Sequence, residues 1–128
     1  MGKEQYTRLT LKELIAKKEQ MLEAKKKRQT SELYIESLDA AIKVQEPSKE
    51  VVRDAVDMED GDAYTVYQCC IEPNLKAAEL KEEYGCAVPA EIVHIVFKPG
   101  EVSFIAKHCL ELAGYKEGAV TPVTDLKN

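Results

Sequence analysis

The stretch SELYIESLDAAIKVQ, Ser31 to Gln45, decides the fold class, because within it the apolar period falls to two. Leu33, Ile35 and Ser37 alternate with Tyr34, Glu36 and Leu38; beyond Asp39-Ala40, Ile42 and Val44 alternate with Ala41, Lys43 and Gln45. Successive side chains of an extended strand point to opposite faces, so this pattern predicts two strands joined at Asp39-Ala40 as a β-hairpin. A hairpin alone is marginal in water. Its apolar face must pack on helices, or its open edges must pair with another strand.

On either side of the hairpin the period is helical. Upstream, after a loose end from Met1 to Tyr6, Thr10 and Glu13 make a capping box. Leu11, Leu14, Ile15, Met21 and Leu22 then line one narrow side of a helix that closes on Lys25, Lys26, Lys27 and Arg28. Downstream, five short helices are expected. Pro47-Ser48 opens the first, with Val51, Val52, Ala55 and Val56 on one face, and the polar stretch Glu59 to Asp62 separates it from a second carrying Ala63, Val66, Tyr67, Cys70 and Ile71. Pro73 stops that helix and Asn74 caps a third, which carries Leu75, Ala78 and Leu80 and ends at Gly85. Pro89 opens a fourth with Ile92, Val93, Val96 and Phe97. After the turn Lys98-Pro99-Gly100 a fifth repeats Val102, Ile105, Ala106, Cys109, Leu112 and Ala113 before Gly114. The expected class is therefore α+β, mainly α: an N-terminal helix, one β-hairpin and a compact bundle of about five short helices.

Charge divides the same chain in two. Residues 1–30 carry nine basic and four acidic side chains, and the remaining 98 carry nine basic and 19 acidic. A basic N-terminal helical arm over 1–30 and a single acidic domain over 31–128, hairpin plus helical body, are the expected units. The net charge of −5 argues against an overall nucleic-acid footprint, and the basic run Lys25 to Arg28 lacks interleaved aromatics, so it reads as a solvated helix end. No apolar stretch approaches the roughly 18 residues of a membrane span, and charges stand where a signal peptide would be apolar. A cytoplasmic protein is expected.

Signatures of catalysis are missing from the residues. Cys69, Cys70, Cys86 and Cys109 show no C-x-x-C pairing, and His94 and His108 lie too far apart for a zinc pair, so buried reduced thiols are expected and no metal or cofactor. Asp57, Glu59, Asp60 and Asp62 lack the glycine and terminal glutamate of a calcium loop and read as a solvated connection. His108 beside Cys109 suggests a nucleophile pair, yet neighbours on a helix do not face each other.

The order of several further pieces resembles a known family. They are the Lys-rich leading helix, Tyr34-Ile35-Glu36-Ser37-Leu38, Pro47-Ser48-Lys49, and Gly61-Asp62-Ala63-Tyr64 leading to Glu72-Pro73-Asn74-Leu75-Lys76. Then follow Pro99-Gly100-Glu101-Val102, Leu112-Ala113-Gly114-Tyr115 and the closing Asp125-Leu126-Lys127-Asn128. Together they resemble the tail assembly chaperones of contractile-tailed phages and defective prophages, in particular the XkdN-like proteins of Firmicutes. The resemblance implies a non-enzymatic factor of the host bacterial cytoplasm that coats the tape-measure protein and keeps it soluble until tube subunits polymerise around it. The stripe of Leu11, Leu14, Ile15, Met21 and Leu22 is then the expected contact with the tape measure, while packing on its own body or pairing with a neighbouring copy stays open.

Many such chaperone genes carry a minus-one frameshift whose longer product recruits tail-tube subunits. Leu126-Lys127-Asn128 fits a slippery heptamer if its codons end A AAA AAC. The alternative class is a small phage-encoded DNA-binding or regulatory protein using the basic arm, against which stand the acidic body and the lack of a helix-turn-helix with a basic second helix.

Overall fold

The computed structural model describes residues 6–88 and 90–126. The expected loose end before Tyr6, the helix-opening role of Pro89 and the closing Lys127-Asn128 lie outside the described residues. Over the described residues the protein has seven α-helices and three strands, an α+β fold that is mainly α.

The hairpin forms where the alternation places it. β1 (Thr30–Ile35) pairs antiparallel with β2 (Ala40–Gln45), setting Leu33 opposite Ile42 and Ser31 opposite Val44. One face carries Ile35, Ile42 and Val44 into the core, and the other leaves Tyr34 exposed. The joint is longer than the expected Asp39-Ala40 link. Glu36–Leu38 curls into a turn of 3-10 helix, and Asp39 adopts the left-handed conformation at φ 48°, which aspartate tolerates better than most residues. The Tyr34 phenol donates to Asp39 Oδ1 at 2.7 Å across this corner. Ser37 and Leu38 therefore alternate in sequence without belonging to a strand.

The sheet has a third member that the periodicity does not announce. α3 (Lys49–Val56) is capped by the Ser48 hydroxyl, which accepts from the Val51 N–H at 3.2 Å, and α4 (Gly61–Cys69) follows it. The chain then straightens into β3 (Cys70–Glu72), antiparallel to β2, giving the order β1-β2-β3. The spacing of Val66, Tyr67, Cys70 and Ile71 satisfies a helix. The free edge of β2 nevertheless captures Cys70–Glu72, placing Glu72 opposite Lys43 and burying Cys70.

The last three helices carry local corrections. Asn74 does not cap α5 (Ala78–Tyr84); its side chain accepts from the Lys76 N–H at 3.1 Å, and the helix starts after Ala77. Gly85, at φ 62°, ends α5 as expected. α6 (Glu91–Val96) is preceded by a turn whose Ala87 and Val88 N–H groups donate to the Glu91 carboxylate at 2.8 and 3.0 Å. Pro99-Gly100 is the first turn of α7 (Pro99–Leu112) rather than a loop, since proline at N1 forfeits no helical hydrogen bond. The Glu101 carboxylate accepts from the Lys98 N–H at 2.8 Å to fasten that end.

Val66 and Cys69 of α4 meet Val102, Ile105, Ala106 and Cys109 of α7 in a core that also takes in Val44, Ile92, Val93 and Phe97. Thr65 is the buried polar side chain among them, and its hydroxyl donates to the Gly61 carbonyl at 2.9 Å. The approach of α3 to α4 depends on Gly61, where a Cβ would lie 2.2 Å from the Ala55 carbonyl oxygen.

The chain divides into two compact units, Gln29–Tyr115 and a second one made from 1–28 with 116–128. The first holds the sheet and α3 to α7. The second holds α1 (Leu11–Ala16), α2 (Lys18–Lys26) and a turn of 3-10 helix at Val123–Leu126. Thr10 caps α1 by accepting from the Glu13 N–H at 3.1 Å. A single helix was the expectation here; instead Lys17 bends away at φ −96° and ψ 16°, although Lys17 N–H to Glu13 and Met21 N–H to Lys17, both 2.9 Å, carry the ladder through.

Candidate partner-binding surfaces

The five residues picked out by helical spacing divide between Leu11, Leu14 and Ile15 on α1 and Met21 and Leu22 on α2. At 100° per residue they fall within about a third of the helix circumference, with Lys18 and Lys25 on the same side. All five are exposed, Leu11 at 74% and Ile15 at 65%. Lys25 and Lys26 fill the last turn of α2, where the helix dipole is negative. The result is a helical surface whose apolar stripe is interrupted by Lys18 and becomes cationic at its end.

Two of the grooves on the body bear on partner binding, and the sequence announces neither. The larger, about 590 Å³, runs between β1 and the N-terminal half of α7, lined by Leu33, Tyr34, Lys98, Phe104 and His108 among others. Phe104 is 74% exposed there. Its signal in the sequence is an aromatic lying off the Val102-Ile105-Cys109 stripe; the groove itself exists only because β1 and α7 meet. Glu101, one of its lining residues, is held below the usual carboxylate range by a hydrogen bond from Ser37 and then by the Lys98 N–H. His108 lies 3.4 Å from the Ser31 hydroxyl through Nε2 and 3.9 Å from Glu111 through Nδ1.

The second groove, about 350 Å³, lies along α4 and is lined by Met58, Tyr64, Tyr67 and Val88, with Asp60 at its edge. Asp57, Glu59 and Asp60 are exposed in the connection before α4, as the sequence leads one to expect, while Asp62 is exposed in the first turn of α4. Asp60 pairs with His94, and on the opposite side Lys76 donates to Gln68 at 2.6 Å and sits 5.8 Å over the Tyr67 ring.

The groups with catalytic potential are placed for structure. All four cysteines are buried and outside any disulfide. Cys109 is driven well above the ordinary thiol range by its hydrogen bond with Cys69 and by burial, and burial pushes Cys70 up to about 11, so both stay protonated and poorly nucleophilic. His108 reaches Ser31 and Glu111, while Cys109 beside it faces the core. Among the described residues no three His, Cys, Asp or Glu side chains gather as a metal site, and no helix is long and apolar enough to cross a membrane.

Comparison with known families adds one match. The family model described as phage XkdN-like tail assembly chaperone protein matches residues 2–127. Among curated proteins and among solved structures, nothing matches the chain.

Proposed function

The chain belongs to the phage XkdN-like tail assembly chaperone family, and from that premise we propose that it binds the tape-measure protein in the host bacterial cytoplasm and holds it soluble while the tail is built. The observation that carries this reading is the exposed stripe of Leu11, Leu14, Ile15, Met21 and Leu22 on α1 and α2. A tape measure is a long helical chain with apolar stripes, and a bare stripe in water drives aggregation. Laying the α1–α2 stripe along such a helix buries both apolar surfaces, as amphipathic helices do in grooves and zippers. Lys18 and Lys25 lie on the side of the stripe, where their aliphatic stems add to the contact while their ammonium groups reach water, and the acidic body keeps the coated complex dissolved through its net negative charge. Binding and release are all that this role asks of the protein, and the thiols locked in the core are consistent with it.

The test is co-expression with the long coiled-coil protein encoded beside it, followed by affinity purification and mass determination. The expected result is that the long protein becomes soluble only in the presence of this chain and co-purifies with several copies of it. Leu14→Glu combined with Leu22→Glu should abolish that rescue while leaving the unfolding free energy from urea titration within about 0.5 kcal/mol of wild type, because both side chains are exposed. An unchanged solubility of the long protein, together with salt-sensitive retention of this chain on DNA, would replace the chaperone contact with the DNA-binding alternative.

A further inference from the structure

The groove along α4 and the surface of α1–α2 are complementary in both apolarity and charge. The groove is lined by Tyr64 and Tyr67, with Met58 and Val88 exposed beside them and Asp60 among its residues, and the exposed Asp57 and Glu59 are the chain neighbours of Met58. Among the described residues no lysine or arginine lines the groove. Lys76 nearby is engaged by Gln68 and Tyr67, and Asp60 is engaged by His94, so Asp57 and Glu59 carry the negative charge at this end of α4. The other unit presents Leu14, Met21 and Leu22 with Lys18 and Lys25 on the same side and Lys17 and Lys26 at its margins, all exposed. Sixteen residues of helix span roughly 24 Å, enough to lie along a helix the length of α4.

We propose that the α1–α2 segment of one copy docks in the α4 groove of a second copy, with its leucines over Tyr64 and Met58 and its lysines against the Asp57–Asp60 connection. Such a contact joins two different surfaces, so it is head-to-tail, and successive copies add to one another until a ring closes or a row forms. It covers an apolar stripe that would otherwise face water in the free protein. It also makes self-association and capture of a client helix compete for the same leucines. The inference is read from this chain alone and stands apart from the tape-measure reading, since it requires no other protein.

Sedimentation velocity of the full-length chain across a wide concentration range tests it. The wild type should gain mass with concentration and lose it again as salt is raised, because salt screens the exposed charges. Lys18→Glu with Lys25→Glu on the arm, or Asp57→Lys with Glu59→Lys on the loop, should each weaken association about tenfold or more. The two pairs combined in one chain should restore it, a rescue that damage to folding cannot imitate. A chain that stays monomeric at every concentration overturns the proposal. So does self-association that neither reversal weakens, or that the combined reversals fail to restore. Circular dichroism on each variant confirms that it is folded. Tape-measure rescue, measured separately, can fail or succeed without changing these outcomes.

Discussion

The thiol of Cys70 lies in the core at the start of β3 and donates to the Pro73 carbonyl at 3.3 Å, so its ionisation is tied to the folded state. Burial raises it from its ordinary 9.0 to about 11, the proximity of Cys69 adds to the rise, and the Glu72 N–H opposes it. Cys109 is shifted in the same direction through its hydrogen bond with Cys69 and its own burial. In the unfolded chain these thiols lose their protons near the ordinary value, whereas in the folded protein they keep them. Below pH 9 the two states bind the same protons and stability is unaffected. Between pH 9 and about 11 the unfolded chain holds fewer, so stability falls, by on the order of 2 kcal/mol for Cys70. The urea midpoint should therefore decline above pH 9, and the decline should be shallower in Cys70→Ala. Equal slopes for the two proteins would show that the thiol does not contribute.

Glycine separates the helices of the body into two kinds, which substitution should tell apart. At Gly61 a Cβ would lie 2.2 Å from the Ala55 carbonyl oxygen, a backbone atom that cannot swing aside, so Gly61→Ala must push α3 from α4 and should cost about 2 kcal/mol or more. At Gly100, in the first turn of α7, nothing lies within 4 Å and φ is not left-handed, so Gly100→Ala should stabilise by about 0.4 to 1 kcal/mol. Thermal denaturation of the two variants against wild type measures both signs. At this same scale the sequence is most readable where an element is long or its period strict. β1 and β2 show their alternation, α7 its repeat from Val102 to Cys109, and Gly85 and Gly114 mark helix ends. β3 is hidden because three residues are too few to show a period, and what makes Cys70–Glu72 a strand is the edge of β2, far away in sequence. Pro99-Gly100 reads as a turn because the pair punctuates most chains, yet proline at N1 suits a helix equally well. The bend at Lys17 has neither glycine nor proline to announce it.

At the scale of the molecule, the candidate surfaces divide in legibility along the same line. The stripe on α1 and α2 depends on spacing within one segment and can be read from Leu11, Leu14, Ile15, Met21 and Leu22. The grooves depend on β1 meeting α7 and on α4 meeting the turn before α6, and no local pattern encodes a meeting. The separation of Gln29–Tyr115 from the rest leads to an expectation for limited proteolysis. Trypsin should cut first after Lys25 to Arg28, where α2 gives way to extended backbone, and after Lys116, leaving the body to persist. Mass spectrometry of the time course checks this, and cuts after Arg53 in α3 or Lys107 in α7 appearing as early would contradict two separate units. The interior position of all four cysteines has a practical consequence as well. A maleimide dye added to Ala24→Cys would find on α2 the one thiol open to it, so the arm can carry a fluorophore with every native cysteine left in place. Energy transfer between donor-labelled and acceptor-labelled copies would then follow where that arm travels as a tail is assembled.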